Sequence, residues 1–148
     1  MNYFELLNIE KAFEIDMAEL EAAYFRAQRE THPDRFVGKS DSERQAALQR
    51  SVDVNEAYHT LKTPLRRAQY ILSLHGVIIG TDKDTVKPSQ ALLMEALELR
   101  EEPPTASALQ TMIASCIAAI IQHYNDADYK AMAQEALRLG YLEKITTH

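Results

Sequence analysis

Pro33, flanked by His32 and Asp34, stands between two segments that both read as amphipathic helices. Its ring cannot continue a helix, and it pushes His32 out of the helical region, so the chain must turn there. An imidazole and a carboxylate are thereby expected at the tip of a helical hairpin, facing solvent. Three specified residues in a row arise by chance in roughly one chain in fifty of this length, so the flanks decide whether the tripeptide means anything.

The flanks are regular. Upstream, Met17, Leu20, Tyr24, Ala27 and Thr31 recur at steps of three and four, behind Asp16 as N-cap. Downstream, a loop over 35–39 leads to Ser40 and Glu43, which have the spacing of a capping box. A helix over 41–61 follows, with Ala47, Ser51, Val54, Tyr58 and Leu61 on one face. A short helix around residues 3–7 precedes the hairpin and offers Phe4 and Leu7 as anchors. Thr63-Pro64 restarts the chain as a capping hydroxyl and a proline at the first helical position, and Gly76 closes that helix.

From 77 to 87 the pattern breaks into the polar, turn-rich run Gly80-Thr81-Asp82-Lys83-Asp84, which places a linker here. Beyond it, helical stretches are expected over 88–102, 105–124 and 126–145, divided by Pro103-Pro104 and Asn125-Asp126. Short connections between three consecutive helices read as an antiparallel three-helix bundle. The expected fold is all-α, with one domain over 1–76 and a second over 88–148. A composition with only 4 Gly and 5 Pro in 148 residues agrees with a helical chain.

Charge narrows the function. Residues 1–76 hold 10 basic and 12 acidic side chains, and residues 77–148 hold 6 and 10, for a net −6. Without a basic stripe, nucleic acid is not an expected partner. The one cysteine, Cys116, sits in an apolar run and reads as a small buried hydrophobe in a reducing compartment. No signal peptide and no run of eighteen apolar residues is visible, so a soluble, cytoplasmic chain with no membrane partner is expected. His32, His59, His75, His123 and His148 are scattered without ligand spacing, so no metal and no other cofactor is expected.

Residues 92–101 carry a surplus. At about 100° per residue, Leu92, Ala96 and Leu99 form one stripe, and Leu93, Met94, Leu97, Glu98 and Glu101 form another on the opposite side. A bundle helix needs one apolar face, so the second is available to bind a protein, unless it packs within the chain. Gly140, in the last helix, either costs that helix about 1 kcal/mol relative to Ala or ends it.

Tyr3-Phe4-Glu5-Leu6-Leu7, His32-Pro33-Asp34-Arg35-Phe36, Val54-Asn55-Glu56-Ala57-Tyr58 and Pro64-Leu65-Arg66-Arg67-Ala68-Gln69-Tyr70 together resemble a J domain, the module that activates the ATPase of DnaK-class chaperones. The continuation through Ile71-Leu72-Ser73-Leu74-His75-Gly76, with Leu93 to Glu102, is similar to the HscB-type J proteins of iron–sulfur cluster assembly. The match covers nearly the whole chain and loosens after Pro103, where the bundle is shorter than usual for the family.

The resemblance implies that His32, Pro33 and Asp34 engage an HscA- or DnaK-class chaperone, with Arg26, Arg29 and Arg35 as basic contacts. It implies that Leu93, Met94, Leu97, Glu98 and Glu101 hold the scaffold protein IscU, with Tyr141 at the aromatic position that completes the patch. It also implies that the chain is not an enzyme and holds no cluster itself. Thr31 departs from the family, which usually has an aromatic there. Two readings stay open beside this one: a J protein with a different client, and a small hydrolase using His32 and Asp34, although no Ser or Cys nucleophile is evident.

Overall fold

The computed structural model describes residues 1–146; Thr147 and His148, the latter one of the five histidines considered above, lie outside the described residues. Among those described, seven α-helices and one 3-10 turn account for all regular structure: α1 (Tyr3–Leu6), α2 (Met17–Thr31), the 3-10 turn Pro33–Phe36, α3 (Asp41–Leu61), α4 (Pro64–Leu74), α5 (Gln90–Glu101), α6 (Ala106–Asn125) and α7 (Tyr129–Glu143). The all-α expectation holds.

Local chemistry sets the helix ends. The Asp16 carboxylate accepts from the Ala18 and Glu19 amides at the start of α2. Ser40 Oγ accepts from the Glu43 amide and donates to the Glu43 carboxylate, so the expected box closes between side chains. Pro64 opens α4 at its first position, where a missing N–H is harmless. At the far end Gly76 has φ +77°, and the amides of Gly76 and Val77 donate to the carbonyls of Ser73 and Leu72. That is a Schellman closure.

The chain divides into two compact units, the first ending at Thr63 and the second beginning at Pro64. In the first, α3 packs against α1, α2 and the 3-10 turn around buried Phe4, Leu7, Phe13, Leu20, Val54 and Leu61. In the second, α7 is the common partner of α4, α5 and α6. Its Met132, Ala133, Ala136, Leu139 and Leu142 are buried, as are Ile71 and Leu72 of α4, Leu92 of α5, and Cys116 and Ile120 of α6. The amphipathic face of α4 is thus spent on α7, and the packing unit starts at Pro64 while the expected domain reaches residue 76.

Residues 77–87 form a closed turn within the second unit. Ile78 and Thr85 exchange hydrogen bonds of 2.9 and 3.0 Å. The Asp84 carboxylate accepts from the Thr81 and Gly80 amides, and these bonds, Thr81 first, hold its pKa below the usual carboxylate value. Gly80 has φ +81°, a left-handed backbone that strains any other residue, and a Cβ there would also have to displace the Gln69 amide, which lies 2.5 Å away. By length and composition α6, with mean hydropathy 1.3, is a candidate membrane span; a count of consecutive apolar residues misses it because Ser, Thr and Gln interrupt the run.

Gly140 does not end the last helix, which continues to Glu143. A Cβ at Gly140 would meet Leu65 Cδ2 at 3.7 Å, ordinary van der Waals contact. Gly140→Ala should therefore stabilise the second unit by about 0.5–1 kcal/mol through helix propensity alone. Urea denaturation followed by circular dichroism measures it, and a destabilised variant would show that the neighbouring leucine cannot accept the methyl group.

Candidate functional site

Pro33 holds His32 at φ −59°, ψ 135°, outside the helical region, so α2 stops at Thr31 and the chain turns. The imidazole then does local work: its Nδ1 accepts from the Asp34 amide at 3.2 Å, capping the 3-10 turn. A ring nitrogen that accepts carries no proton, so the neutral ring keeps its proton on Nε2, on the side away from the turn. The Asp34 carboxylate is 3.6 Å from Nδ1 and 88% exposed, and His32 is 59% exposed. The tip therefore offers one directed donor and one open carboxylate, able to take a bidentate arginine.

Arg29, His32 and Arg35 line one open depression, while Arg26 is exposed on α2 but outside it. Of the three expected basic contacts, the structure gathers two beside the loop.

The base of the hairpin is fixed by a polar ladder. Tyr24 hydroxyl and Gln28 Nε2 both donate to Asn55 Oδ1, at 2.6 and 2.9 Å, and Ser51 Oγ donates to Gln28 Oε1 at 3.1 Å. The Tyr24 and Tyr58 rings stack at 4.2 Å. Thr31 is buried and satisfies its hydroxyl on the Ala27 carbonyl at 3.1 Å, so the departure from an aromatic is absorbed in packing and leaves the turn formed. Sequence reasoning placed Tyr24, Ser51 and Tyr58 on inward faces but missed Gln28 and the pairing.

On the second unit, Leu93, Met94 and Leu97 are 48%, 51% and 48% exposed, with Glu98 and Glu101 exposed beside them. Leu92 is buried, and Ala96 and Leu99 are half-buried. The two stripes lie as the wheel separates them, the surplus one toward solvent.

Three residues of α7 spaced at four and three hold α5 in that rotation. Gln134 accepts from the Ser89 amide at 2.9 Å and donates to the Lys87 carbonyl at 2.6 Å. Arg138 Nε donates to Glu95 at 2.7 Å, and its NH1 lies 3.5 Å from Glu135. Burial alone would lower the Arg138 pKa; the Glu95 bond and charge outweigh it and hold the value above the ordinary one. Tyr141 comes next and lines a groove with Ala96, Leu99, Arg100 and Lys144. The groove brings Tyr141 together with Ala96 and Leu99 of the inward stripe and with Arg100, and none of Leu93, Met94 and Leu97 lines it. Gln134, Arg138, Arg100 and Lys144 had no sequence signal beyond their spacing.

No hydroxyl or thiol bonds to His32 among the described residues, and no group of three His, Cys, Asp or Glu there could hold a metal ion. Residues 2–70 match the DnaJ domain. The chain is 48% identical over 152 residues to the co-chaperone protein HscB of Proteus mirabilis, covering 99% of this chain and 79% of that one. It is 34% identical to the HscB homolog of Vibrio cholerae, covering 98% and 92%. The chain belongs to the HscB co-chaperone family.

Solved HscB structures agree. Chaperone HscB from Vibrio cholerae superposes with a TM-score of 0.80 at 32% identity, over 97% of this chain and 92% of that one. Human co-chaperone HscB gives 0.80 at 27% identity, over 98% and 78%. This HscB member is therefore a J-domain co-chaperone with an all-helical fold over its described residues.

Cys116, the one thiol, is buried in α6 and donates to the Glu135 carbonyl at 3.0 Å. Burial first, then Glu135, pushes its pKa from 9.0 up to about 12. The native thiol should resist a disulfide reagent at pH 8 and react fully once unfolded in guanidinium. Because the folded value is raised, the unfolded chain loses this proton first, so the thiol's contribution to stability falls as pH rises from 9.0 to about 12. Fast labelling of the native chain would contradict the burial.

Proposed function

We propose that this chain stimulates ATP hydrolysis by an HscA- or DnaK-class heat-shock chaperone and delivers to it the iron–sulfur scaffold protein IscU, in the cytoplasm. It has no active site of its own. The first reading rests on the exposed His32-Pro33-Asp34 tip with Arg29 and Arg35 beside it, and the second on the outward stripe Leu93, Met94, Leu97, Glu98 and Glu101, with Tyr141 in the groove that Arg100 lines. The observation that carries the proposal is that stripe: three large apolar side chains half in solvent on a helix whose inward face is already filled. Residues 1–76 act as the chaperone-facing domain and residues 88–148 as the client-facing one. Holding both proteins on one chain raises their effective concentration while the loop promotes hydrolysis.

The test is steady-state ATP hydrolysis by the cognate chaperone with this protein, with and without IscU, and by this protein alone. Stimulation that rises further with IscU supports both halves; stimulation indifferent to IscU retains the chaperone and discards this client. Hydrolysis by the protein alone would revive a catalytic role for His32 and Asp34.

His32→Gln should abolish the stimulation and leave IscU binding and helicity intact, because it removes the Nδ1 cap and the directed Nε2 donor together. Loss of IscU binding as well would contradict separate sites. Changing Leu93, Met94 and Leu97 together to Ala should weaken IscU binding at least about tenfold, as truncation of a central apolar cluster does. Helicity should persist, since these side chains are exposed; unfolding of the variant would mean the stripe is core.

A further inference from the structure

Between the C-terminal turns of α5 and α7 lies a groove of about 190 Å³. Ala96, Leu99 and Ile145 supply apolar wall, and its polar side-chain groups are Arg100, Lys144, Tyr141 and Thr146, with no carboxylate in the lining among the described residues. None of the Arg100, Lys144 and Tyr141 side chains has a hydrogen-bond or ion-pair partner among the described residues. Arg138, one turn earlier on α7, is by contrast taken by Glu95 and Glu135. In a chain of net charge −6, two cations and a phenol lining one groove with no carboxylate among the described residues are a local exception.

Their place on α5 gives them a meaning. With Leu97 as origin and about 100° per residue, Leu93 lies within about 40°, Glu101 and Glu98 fall about 40° and 100° to one side, and Arg100 about 60° to the other. Met94 falls about 60° to the acidic side, so the apolar stripe is edged by Glu98 beyond Met94 and by Arg100 beyond Leu93, with Glu101 inside it, and the basic edge opens into the groove.

We propose that this groove is a carboxylate subsite of the client-binding surface, an inference that rests on the scaffold-binding reading of α5. It takes an acidic side chain of the bound scaffold through Arg100, Lys144 and the Tyr141 hydroxyl. Glu98 and Glu101 take a basic one across the stripe. The partner consequently lies one way round along α5, since the reversed placement sets like charges together on both flanks. Tyr141 acts here through its hydroxyl as well as its ring.

Calorimetric titration of the full chain with the IscU scaffold at low and high salt tests this. Arg100→Glu with Lys144→Glu should weaken binding about tenfold at low salt and less at high salt, and Tyr141→Phe about two- to threefold. Lys130→Glu, an exposed residue of α7 away from the groove, makes one of the same charge changes and should have no effect. If the double reversal alters helicity, Arg100→Gln with Lys144→Gln substitutes for it. Binding unchanged or tightened in the groove variants, while Leu93, Met94 and Leu97 truncation weakens it, would overturn the subsite and leave the proposed function standing. A native chain that binds no scaffold would overturn both.

Discussion

Two polar side chains of α7, Gln134 and Arg138, decide which of the two apolar stripes of α5 is buried. Hydrophobicity does not decide it: the exposed stripe holds Leu93, Met94 and Leu97, while the inward one holds Leu92, Ala96 and Leu99. Burying a Met in place of an Ala favours the wrong rotation by roughly 1–2 kcal/mol. A charge-assisted hydrogen bond such as Arg138 to Glu95 contributes about 1.5–3 kcal/mol, and the two Gln134 bonds to the turn before α5 add to it. The polar contacts therefore exceed the hydrophobic bias, and the larger apolar face stays in water. The raised pKa of Arg138 reports the same balance, its half-buried charge being held by Glu95 despite desolvation.

The first unit meets a related demand by other means. A loop tip that offers a directed donor must not wander, yet it must remain exposed. Pro33 removes backbone freedom at the tip, and His32 spends one ring nitrogen on the Asp34 amide, which leaves the other as the donor presented outward. Below the tip, Gln28 joins Asn55 and Ser51 of α3 through a single amide used as both donor and acceptor. That pairing fixes the register of α2 against α3 in a way that apolar contacts, which slide, do not.

Features that depend on neighbouring residues were legible in the sequence. Asp16, Ser40 and Gly76 start and stop helices through bonds within a turn of themselves, Pro64 opens one because its missing N–H costs nothing there, and Pro33 acts on the residue beside it. The rotation of α5 was half legible: the wheel separates its two stripes, but residues 92–101 contain nothing that says which faces inward. That information sits on Gln134 and Arg138, each more than forty positions from the residues it bonds. Gln28 and Asn55 were illegible for the same reason, because a polar residue on a half-inward face reads as surface until its partner is known. The amphipathic pattern of α4 likewise announces a buried face without naming α7 as what covers it. Gly140 misleads in the other direction: helix propensity flags it as a terminator, and the packing of α7 against its neighbours carries the helix through.

An apolar stripe left in water is tolerable only if it does not recruit every other apolar surface. In the proposed client-binding reading the flanks limit it: Glu98 and Glu101 toward one side and Arg100 on the other favour a partner whose own charges are reversed in the same order. Apolar contact supplies attraction without direction, and the two flanks supply direction with little attraction of their own. Because the helix is already clamped to α7 with the stripe outward, the proposed partner would meet a formed surface and lose little binding free energy to ordering it. The same half-buried ion pair that holds α5 to its unit is thus what keeps the stripe and its charged flanks in fixed relation, and the selectivity proposed for the face would follow from the stability of the fold beneath it.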